Sequence, residues 1–304
     1  MSNLARRAAL LSVAAALLLG TLKAWAAWKT GSVAVLASLA DSLLDLLASL
    51  VTLAGVHVAA QPADREHRFG HGKAEALAAL FQVGVIAVSA FAILWRAIER
   101  LLAGGAPADP EYGVAVSLVA IAVTLGLTAY QRSVVARTGS IAIATDRIHY
   151  TSDLMLNAAV IGALLLENSA GFAGADAVFG IAIALWLFFG AWRASASAID
   201  QLMDKEWPEE KRRRFVEIAG RHPELKGMHD LRTRTSGNTD FAQFHIWMDP
   251  KLTVREAHDV VETVELRLAQ EFPGTEILIH IDPEGQVDEP GNPLAEADLL
   301  KDSQ

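Results

Sequence analysis

The stretch ADSLLDLL, residues 40–47, places two carboxylates inside an apolar run that is long enough to cross a membrane. Asp41 and Asp45 are four residues apart, so a helix would present both on one face, one turn apart. A charge near the bilayer centre costs at least about 2.5–3.5 kcal/mol on insertion scales. Two such charges on one helix face need a compensating partner, and a divalent cation meets that need.

The composition predicts a polytopic helical membrane protein. Of the 304 residues, 52% are hydrophobic, and the apolar residues come in long runs; the mean hydropathy is +0.30. The formal net charge of −9 argues against nucleic acid as a partner. The sequence contains no cysteine, which excludes disulfides and thiolate ligands. Any metal site must therefore use histidine and carboxylate side chains.

Six apolar runs are long enough to span a bilayer, so residues 1–204 are predicted to form a six-helix transmembrane domain. The expected spans lie near 8–28, 32–59, 75–101, 112–133, 141–166 and 175–200. A cleaved signal peptide is the alternative for the first run, because Arg6 and Arg7 precede it and the AWA sequence at 24–26 resembles a cleavage site. We interpret this run as the first span because it stays apolar through Ala27, over roughly 20 residues.

Basic residues in the short loops predict the orientation of the spans. Most of them fall on one side of the membrane: Arg6, Arg7, Arg65, Arg68, Lys73, Arg132, Arg137 and Lys205. The side richer in Lys and Arg is expected to be cytoplasmic. Both termini are therefore predicted to be cytoplasmic, in a multi-pass protein of the cell (inner) membrane that contacts lipid.

Residues 205–284 are predicted to form a small cytosolic domain. Two amphipathic segments, 208–220 and 254–272, fit helices, while 229–235, 240–248 and 275–282 fit strands. Ser236, Gly237 and Asn238 predict a hairpin turn between the first two strands. The order α-β-β-α-β indicates an α+β fold of ferredoxin-like type. Residues 285–304 are expected to be a disordered acidic tail.

A second intramembrane pair, His149 and Asp153, has the same four-residue spacing as Asp41 and Asp45. Counting along the spans at about 1.5 Å per residue places both pairs near the midplane. Three carboxylates and one imidazole would make a tetrahedral shell suited to Zn²⁺. The alternative is that each polar side chain hydrogen-bonds a neighbouring helix independently.

Two further groups of histidines and carboxylates lie outside the spans. Asp64, His67 and His71 occupy the loop after the second span, at spacings that allow chelation on a turn. An ordinary polar loop is an equally open interpretation of that segment. The cytosolic domain carries a third group, for which scattered surface histidines are the alternative: His229, Asp230, His245, His258, His280 and Asp282.

The sequence resembles the cation diffusion facilitators, especially their bacterial zinc- and iron-type members. The resemblance extends from the first span to Asp282 and is carried by four motifs: ADSxxD at 40–45, PADxxHxFGHGKAE at 62–75, HYxSD at 149–153 and HDLR at 229–232. Members of this family export divalent cations from the cytosol in exchange for protons, as homodimers. The resemblance thus implies a transporter, not an enzyme.

The resemblance also implies roles for particular residues. Asp41, Asp45, His149 and Asp153 match the transport site, and Asp64, His67 and His71 match a loop site. The residues that match a binuclear cytosolic site bridging the dimer are His229, His245, His258, His280 and Asp282. Lys73 and Asp204 match a salt bridge between the two domains.

The imidazole at His149 bears on the choice of metal, since similar manganese transporters have Asp there. It favours borderline metals such as Zn²⁺, Cd²⁺, Co²⁺ or Fe²⁺ and does not choose among them. Zn²⁺ is the expected ion, both as substrate and as structural ligand, with the other three as alternatives. Two other functions remain open at this stage. One is a metal-sensing membrane receptor, and the other is a metal-gated cation channel.

Overall fold

The computed structural model describes residues 2–30, 33–103, 110–170, 174–223, 225–286 and 298–302. The chain divides into two compact units, Met1–Ile199 and Asp200–Gln304. The first contains six long helices, and the second contains a small sheet with helices.

The helices of the first unit match the six predicted spans: α1 (Ser2–Thr30), α2 (Val33–Ala59), α3 (Ala74–Ala103), α4 (Pro110–Thr138), α5 (Ile141–Ala170) and α6 (Ala175–Leu202). Over the described residues, five of them are long and apolar enough to cross a membrane. The sixth, α5, has 30 residues, about 45 Å, but carries Asp146, Arg147, His149 and Asp153. The polar character of α5 therefore comes from the same segment that contains the predicted metal ligands.

Small side chains allow the helices of the first unit to approach one another closely. Helix α1 packs on α2 and α4, and α5 packs on α2, α3 and α4. Ala5, Ala8 and Ala9 are buried in these contacts, and a Cβ built on Gly55 would lie 2.4 Å from the Cβ of Ala78. Close packing of this kind is typical of helices associating within a bilayer, where no hydrophobic effect drives them together.

The second unit has the predicted α+β order, which is confirmed. Its elements are α7 (Glu209–Ala219), β1 (His229–Ser236), β2 (Thr239–Met248), α8 (Val254–Glu271), β3 (Thr275–Pro283) and α9 (Leu299–Asp302). The sheet order is β1-β2-β3. Strands β1 and β2 are antiparallel and meet at Gly237, whose φ of 59° suits the predicted tight turn. Strands β2 and β3 are parallel, so α8 forms the crossover between them.

Helices α7 and α8 cover one face of this sheet with an apolar core. Phe215 from α7, Phe244 from β2 and Leu268 from α8 are fully buried within it. Helix α8 begins with a capping box, in which Thr253 and Glu256 exchange hydrogen bonds between side chain and backbone. The backbone N–H of Thr253 lowers the pKa of the exposed Glu256 carboxyl, because it stabilises the charged form.

The C-terminal segment was predicted to be a disordered acidic tail from residue 285. In the structure, Leu299 and Leu300 pack against the core of the second unit, and the Leu299 N–H donates to the Met228 carbonyl over 2.8 Å. Residues 287–297, 303 and 304 lie outside the described residues. The two leucines add apolar surface to the core of the second unit, which the acidic composition of the C-terminal segment did not predict.

Gly227 allows the chain entering β1 to pass directly against the indole of Trp247. Its φ is +58°, and an added Cβ would lie 2.1 Å from Trp247 Cε3. Gly274 has a φ of +87° but nothing within 4 Å of a built Cβ. The two glycines therefore separate the cost of a left-handed backbone from the cost of overpacking.

We expect Gly227→Ala to lower the free energy of unfolding of the second unit by about 3 kcal/mol, because it combines backbone strain with a steric clash. Gly274→Ala should cost about 1 kcal/mol, from backbone strain alone. Hydrogen–deuterium exchange of the β1 and β2 amides in the full-length protein measures both effects. Equal losses of protection in the two variants would contradict this account of Gly227.

Candidate metal centres

Three of the four predicted intramembrane ligands meet between α2 and α5. His149 Nε2 lies 2.9 Å from Asp45 Oδ1 and 3.7 Å from Asp153 Oδ2. One ligand atom from each residue falls within 4.8 Å of the other two. Asp45 comes from α2, while His149 and Asp153 lie one turn apart on α5. Two carboxylates and an imidazole at this separation can bind a divalent cation and leave room for a fourth ligand.

Asp41 lies outside this three-residue cluster. Its side chain is exposed, and among the described residues the cluster contains only Asp45, His149 and Asp153. Next to Asp41, the Ser42 hydroxyl accepts a hydrogen bond from Lys23 Nζ on α1 over 2.7 Å. Sequence reasoning gave no role to Lys23, although a lysine inside an apolar run was the signal that could have identified it.

Tyr150 fixes the segment of α5 that carries His149. Its hydroxyl donates to the Ser12 carbonyl on α1 over 2.9 Å and shares a 2.8 Å hydrogen bond with the Ser49 hydroxyl on α2. The rings of His149 and Tyr150 meet edge to face. The phenol therefore ties α1, α2 and α5 together beside the cluster, and it restricts how the imidazole can turn.

A further buried acid, Asp146, lies on α5 three residues before His149 and is fully buried. Its carboxylate contacts polar side chains of α1, α3 and α4. Asp146 was not predicted as a functional residue from the sequence, because it has no His or carboxylate partner at four-residue spacing. Its place in the same helix as His149 and Asp153 was the available signal.

The loop after α2 brings together Asp64, His67 and His71, as the spacing predicted. Asp64 Oδ1 lies 3.4 Å from His67 Nδ1, and Asp64 Oδ2 lies 3.4 Å from His71 Nε2. Backbone N–H groups of His67 and Glu66 donate to the Asp64 carboxylate, and they lower its pKa together with the two imidazoles. The three donors converge on one point and can chelate a cation on the surface of the loop.

In the second unit, the sheet register places three histidines side by side. His229 on β1 pairs with His245 on β2, which pairs with His280 on β3. Asp282 lies at their centre, with its oxygens 3.3 Å from His229 Nε2, 2.8 Å from His245 Nδ1 and 3.4 Å from His280 Nε2. The histidines are thus three neighbouring ligands arranged around one carboxylate.

The burial of His229 and Asp282 within this group fits a metal. His229 Nδ1 contacts the Gly227 carbonyl over 2.7 Å, while His229 Nε2 is buried without a hydrogen-bond partner among the described residues. Asp230, which follows a register shift in β1 and has a φ of 49°, brings a second carboxylate near His229 and His245. A buried imidazole nitrogen without a hydrogen bond, such as His229 Nε2, next to carboxylates suits the ligand set of a Zn²⁺-type ion.

The predicted roles of His258 and of the Lys73–Asp204 pair are not tested by the contacts within either unit. His258 is exposed on α8, and among the described residues it lies outside both histidine groups of the sheet. Lys73 precedes α3 in the first unit, whereas Asp204 belongs to the second. The roles of His258, Lys73 and Asp204 therefore stay predictions.

Two family models of known proteins together match almost the whole chain. The family model described as the cation efflux transmembrane domain matches residues 9–203, and the model described as the cation efflux protein cytoplasmic domain matches residues 207–284. The cation-efflux pump FieF of Serratia proteamaculans is 44% identical over 282 residues, which cover 93% of this chain and 94% of that protein. FieF of Pectobacterium atrosepticum is 42% identical over 288 residues, covering 95% and 96%.

Among solved structures, the Zn form of CzrB is 35% identical and covers 28% of this chain and 99% of its own, with a TM-score of 0.25. The metal-bound C-terminal domain of the CzcD transporter from Thermotoga maritima is 24% identical and covers 27% and 99%, with the same TM-score. The two family models and the FieF relatives establish the family. The chain is a member of the cation efflux family, also called the cation diffusion facilitators, whose members are divalent cation efflux transporters.

Proposed function

We propose that this transporter exports Zn²⁺ from the cytosol in exchange for protons, by alternating access to the cluster formed by Asp45, His149 and Asp153. The observation that carries the proposal is the convergence of these three side chains between two membrane helices. Asp41, one turn along α2, supplies the fourth ligand when the helices close around the ion. The cycle moves ions and protons and transforms no substrate covalently, so we infer that the protein is not an enzyme.

Charge balance supports coupling to protons. Two carboxylates and a neutral imidazole balance one divalent cation, and a fourth ligand from Asp41 leaves a net charge of −1. Metal binding requires the neutral imidazole, so the ion displaces any proton on His149 Nε2. After the ion leaves, a returning proton restores the contact between His149 and Asp45, 2.9 Å apart. Such an exchange keeps the net charge of the buried cluster low throughout the cycle.

The ligand set favours metals of the zinc type. Imidazole suits Zn²⁺, and Cd²⁺, Fe²⁺ and Co²⁺ are further candidates for export. The same ions suit the loop group around Asp64 and the histidines of the sheet, where a bound ion would be a structural ligand.

The geometry of the proposed metal site bears on one of the two other function classes. A closed cluster of strong ligands favours binding over rapid conduction, which makes a metal-gated channel the weaker alternative. A metal-sensing receptor would bind the ion without moving it across the membrane. Flux measurements separate both alternatives from transport.

We expect inside-out vesicles containing the protein to take up Zn²⁺ and to release protons in proportion. Asp45→Ala should lower uptake at least about tenfold, because it removes a metal ligand and even supporting residues of such sites contribute that much. Glu99→Gln, at an exposed acid near the end of α3, is the matched control and should transport normally.

The assay uses one metal at a time, with metal- and pH-sensitive dyes on opposite sides of the membrane. Asp41→Ala belongs in the same series, and a loss as large as that of Asp45→Ala supports a fourth ligand. Proton release that stays constant while metal uptake varies would refute the antiport mechanism.

His149→Asp should shift the preference of the transporter towards Mn²⁺, because a carboxylate suits that ion better than an imidazole. We expect the ratio of Mn²⁺ to Zn²⁺ transport to rise by about tenfold, equivalent to about 1.4 kcal/mol. Competition between the two ions in the vesicle assay measures the ratio. An unchanged ratio would mean that His149 does not set the metal preference.

The second unit is proposed to lie in the cytosol and to hold two protein copies together through metal. Asp282 contacts three histidines within one copy, and the exposed His258 would complete the binuclear site from the partner copy. A symmetric interface with shared ligands links dimer stability to the metal concentration. The Lys73–Asp204 salt bridge would connect this unit to the membrane helices, with both termini in the cytosol.

We expect Zn²⁺ to stabilise the dimer of the full-length protein in detergent, and EDTA to weaken it. Asp282→Ala should remove this dependence, because the carboxylate shared by the three histidines is lost. Glu262→Gln on the exposed side of α8 should behave as the wild type. Sedimentation velocity with and without EDTA gives the monomer–dimer distribution. A dimer population that is insensitive to the metal in the wild type would contradict the proposal.

A further inference from the structure

The carboxyl group of Asp146 lies at the centre of a polar cluster buried between four helices of the first unit. It contacts the Ser12 hydroxyl of α1 at 2.6 Å and Gln131 Nε2 of α4 at 2.8 Å, both through Oδ2. Gln82 Nε2 of α3 lies 3.4 Å from Oδ1. All four side chains are at most 1% exposed. The cluster is therefore a built site inside the helix bundle, and the proposed transport cycle assigns it no role.

The neighbours of Asp146 do not neutralise a negative charge. Its three hydrogen-bond partners are neutral, and no ion pair among the described residues includes Asp146. The titratable groups that interact electrostatically with it are His149, Tyr150 and Asp153 on its own helix and Asp45 on α2, and His149 is already in contact with Asp45 and Asp153. A buried carboxylate without a cationic partner is costly in protein and more so within a membrane.

The Ser12 hydroxyl lies between several hydrogen-bonding groups, and it accepts a hydrogen bond from Gln131 Nε2 over 3.0 Å. The Ser12 hydroxyl has one hydrogen but two acceptors in reach, the Ala8 carbonyl at 3.1 Å and Asp146 Oδ2 at 2.6 Å. The side-chain oxygens of Gln82 and Gln131 are buried and have no hydrogen-bond partner among the described residues. Buried acceptors without a donor are rare and call for a missing hydrogen source.

We propose that Asp146 is a proton-binding site of the first unit, separate from the metal cluster, and that its carboxyl is neutral in this conformation. A proton on Oδ2 donates to Ser12 Oγ, which leaves the Ser12 hydrogen for the Ala8 carbonyl. The two hydrogens of Gln131 Nε2 donate to Asp146 Oδ2 over 2.8 Å and to Ser12 Oγ over 3.0 Å, so each of these contacts has its own hydrogen.

The neutral carboxyl ties α1, α3 and α4 to α5, the helix that carries His149 and Asp153. Loss of the proton would leave a charge among neutral partners, so it requires these helices to separate and admit water. Proton binding at Asp146 is thereby linked to the packing of the whole bundle. This inference stands whether or not the protein exchanges protons for metal.

Infrared spectroscopy of the purified full-length protein in lipid at pH 7, with ¹³C-labelled aspartate, tests the proposal. The wild type should show the carbonyl band of a protonated aspartic acid, which the label distinguishes from the buried Glu75. Asp146→Asn should remove that band. Asp176→Asn is the matched control, because Asp176 pairs with Arg100 at 2.7 Å and lies outside the Asp146 cluster, so the band should remain.

Gln131→Leu provides a second test that does not depend on how Asp146→Asn folds. It removes a hydrogen-bond partner, so the band should keep its area and move to higher frequency. Two results would overturn the proposal. One is a wild-type spectrum without the protonated band, as an ionised carboxylate holding a water or a monovalent cation would give. The other is a band that neither Asp146→Asn nor Gln131→Leu changes.

Discussion

The contact between His149 Nε2 and Asp45 Oδ1 joins α5 to α2 inside the helix bundle of the first unit. Each side chain alone would be a costly insertion into a bilayer, and together they compensate one another. The position of α5 depends on this compensation, because its polar first half finds partners only inside the bundle. Tyr150 and Asp146 on the same helix use the remaining polar groups of α1, α2, α3 and α4. The most polar helix is thus surrounded by the other helices that supply its hydrogen bonds.

Much of the fold could be predicted from the sequence because its signals are local. The helix bounds of both units follow apolar runs and breaks at Gly and Pro, and the strand order of the second unit follows alternation and a Ser-Gly-Asn turn. The short helix α9 was not predicted, because Leu299 and Leu300 fold only against a core that is built by distant residues. Local polarity therefore gave the wrong expectation for a segment whose structure depends on tertiary contact.

The candidate metal ligands could be predicted from the sequence for a similar reason. Spacing of three or four residues identified Asp45, Asp64, His67, His71, His149 and Asp153, since one helical turn or one tight turn brings such pairs together. Asp146 and Lys23 were not predicted, because their hydrogen-bond partners lie on other helices. Such partners are far apart in sequence and leave no periodic pattern. Sequence reasoning also could not tell that Asp41 would lie outside the cluster, since the rotation of α2 against α5 depends on packing.

The parallel pairing of β2 with β3 has a consequence for the order in which the sites can assemble during synthesis. Asp45, His149 and Asp153 are all translated before any residue of the sheet, and their helices can meet as soon as α5 is inserted. The histidine group of the second unit must wait for Asp282, which arrives after the α8 crossover. A newly made chain can therefore hold its membrane cluster before the cytosolic ligands exist.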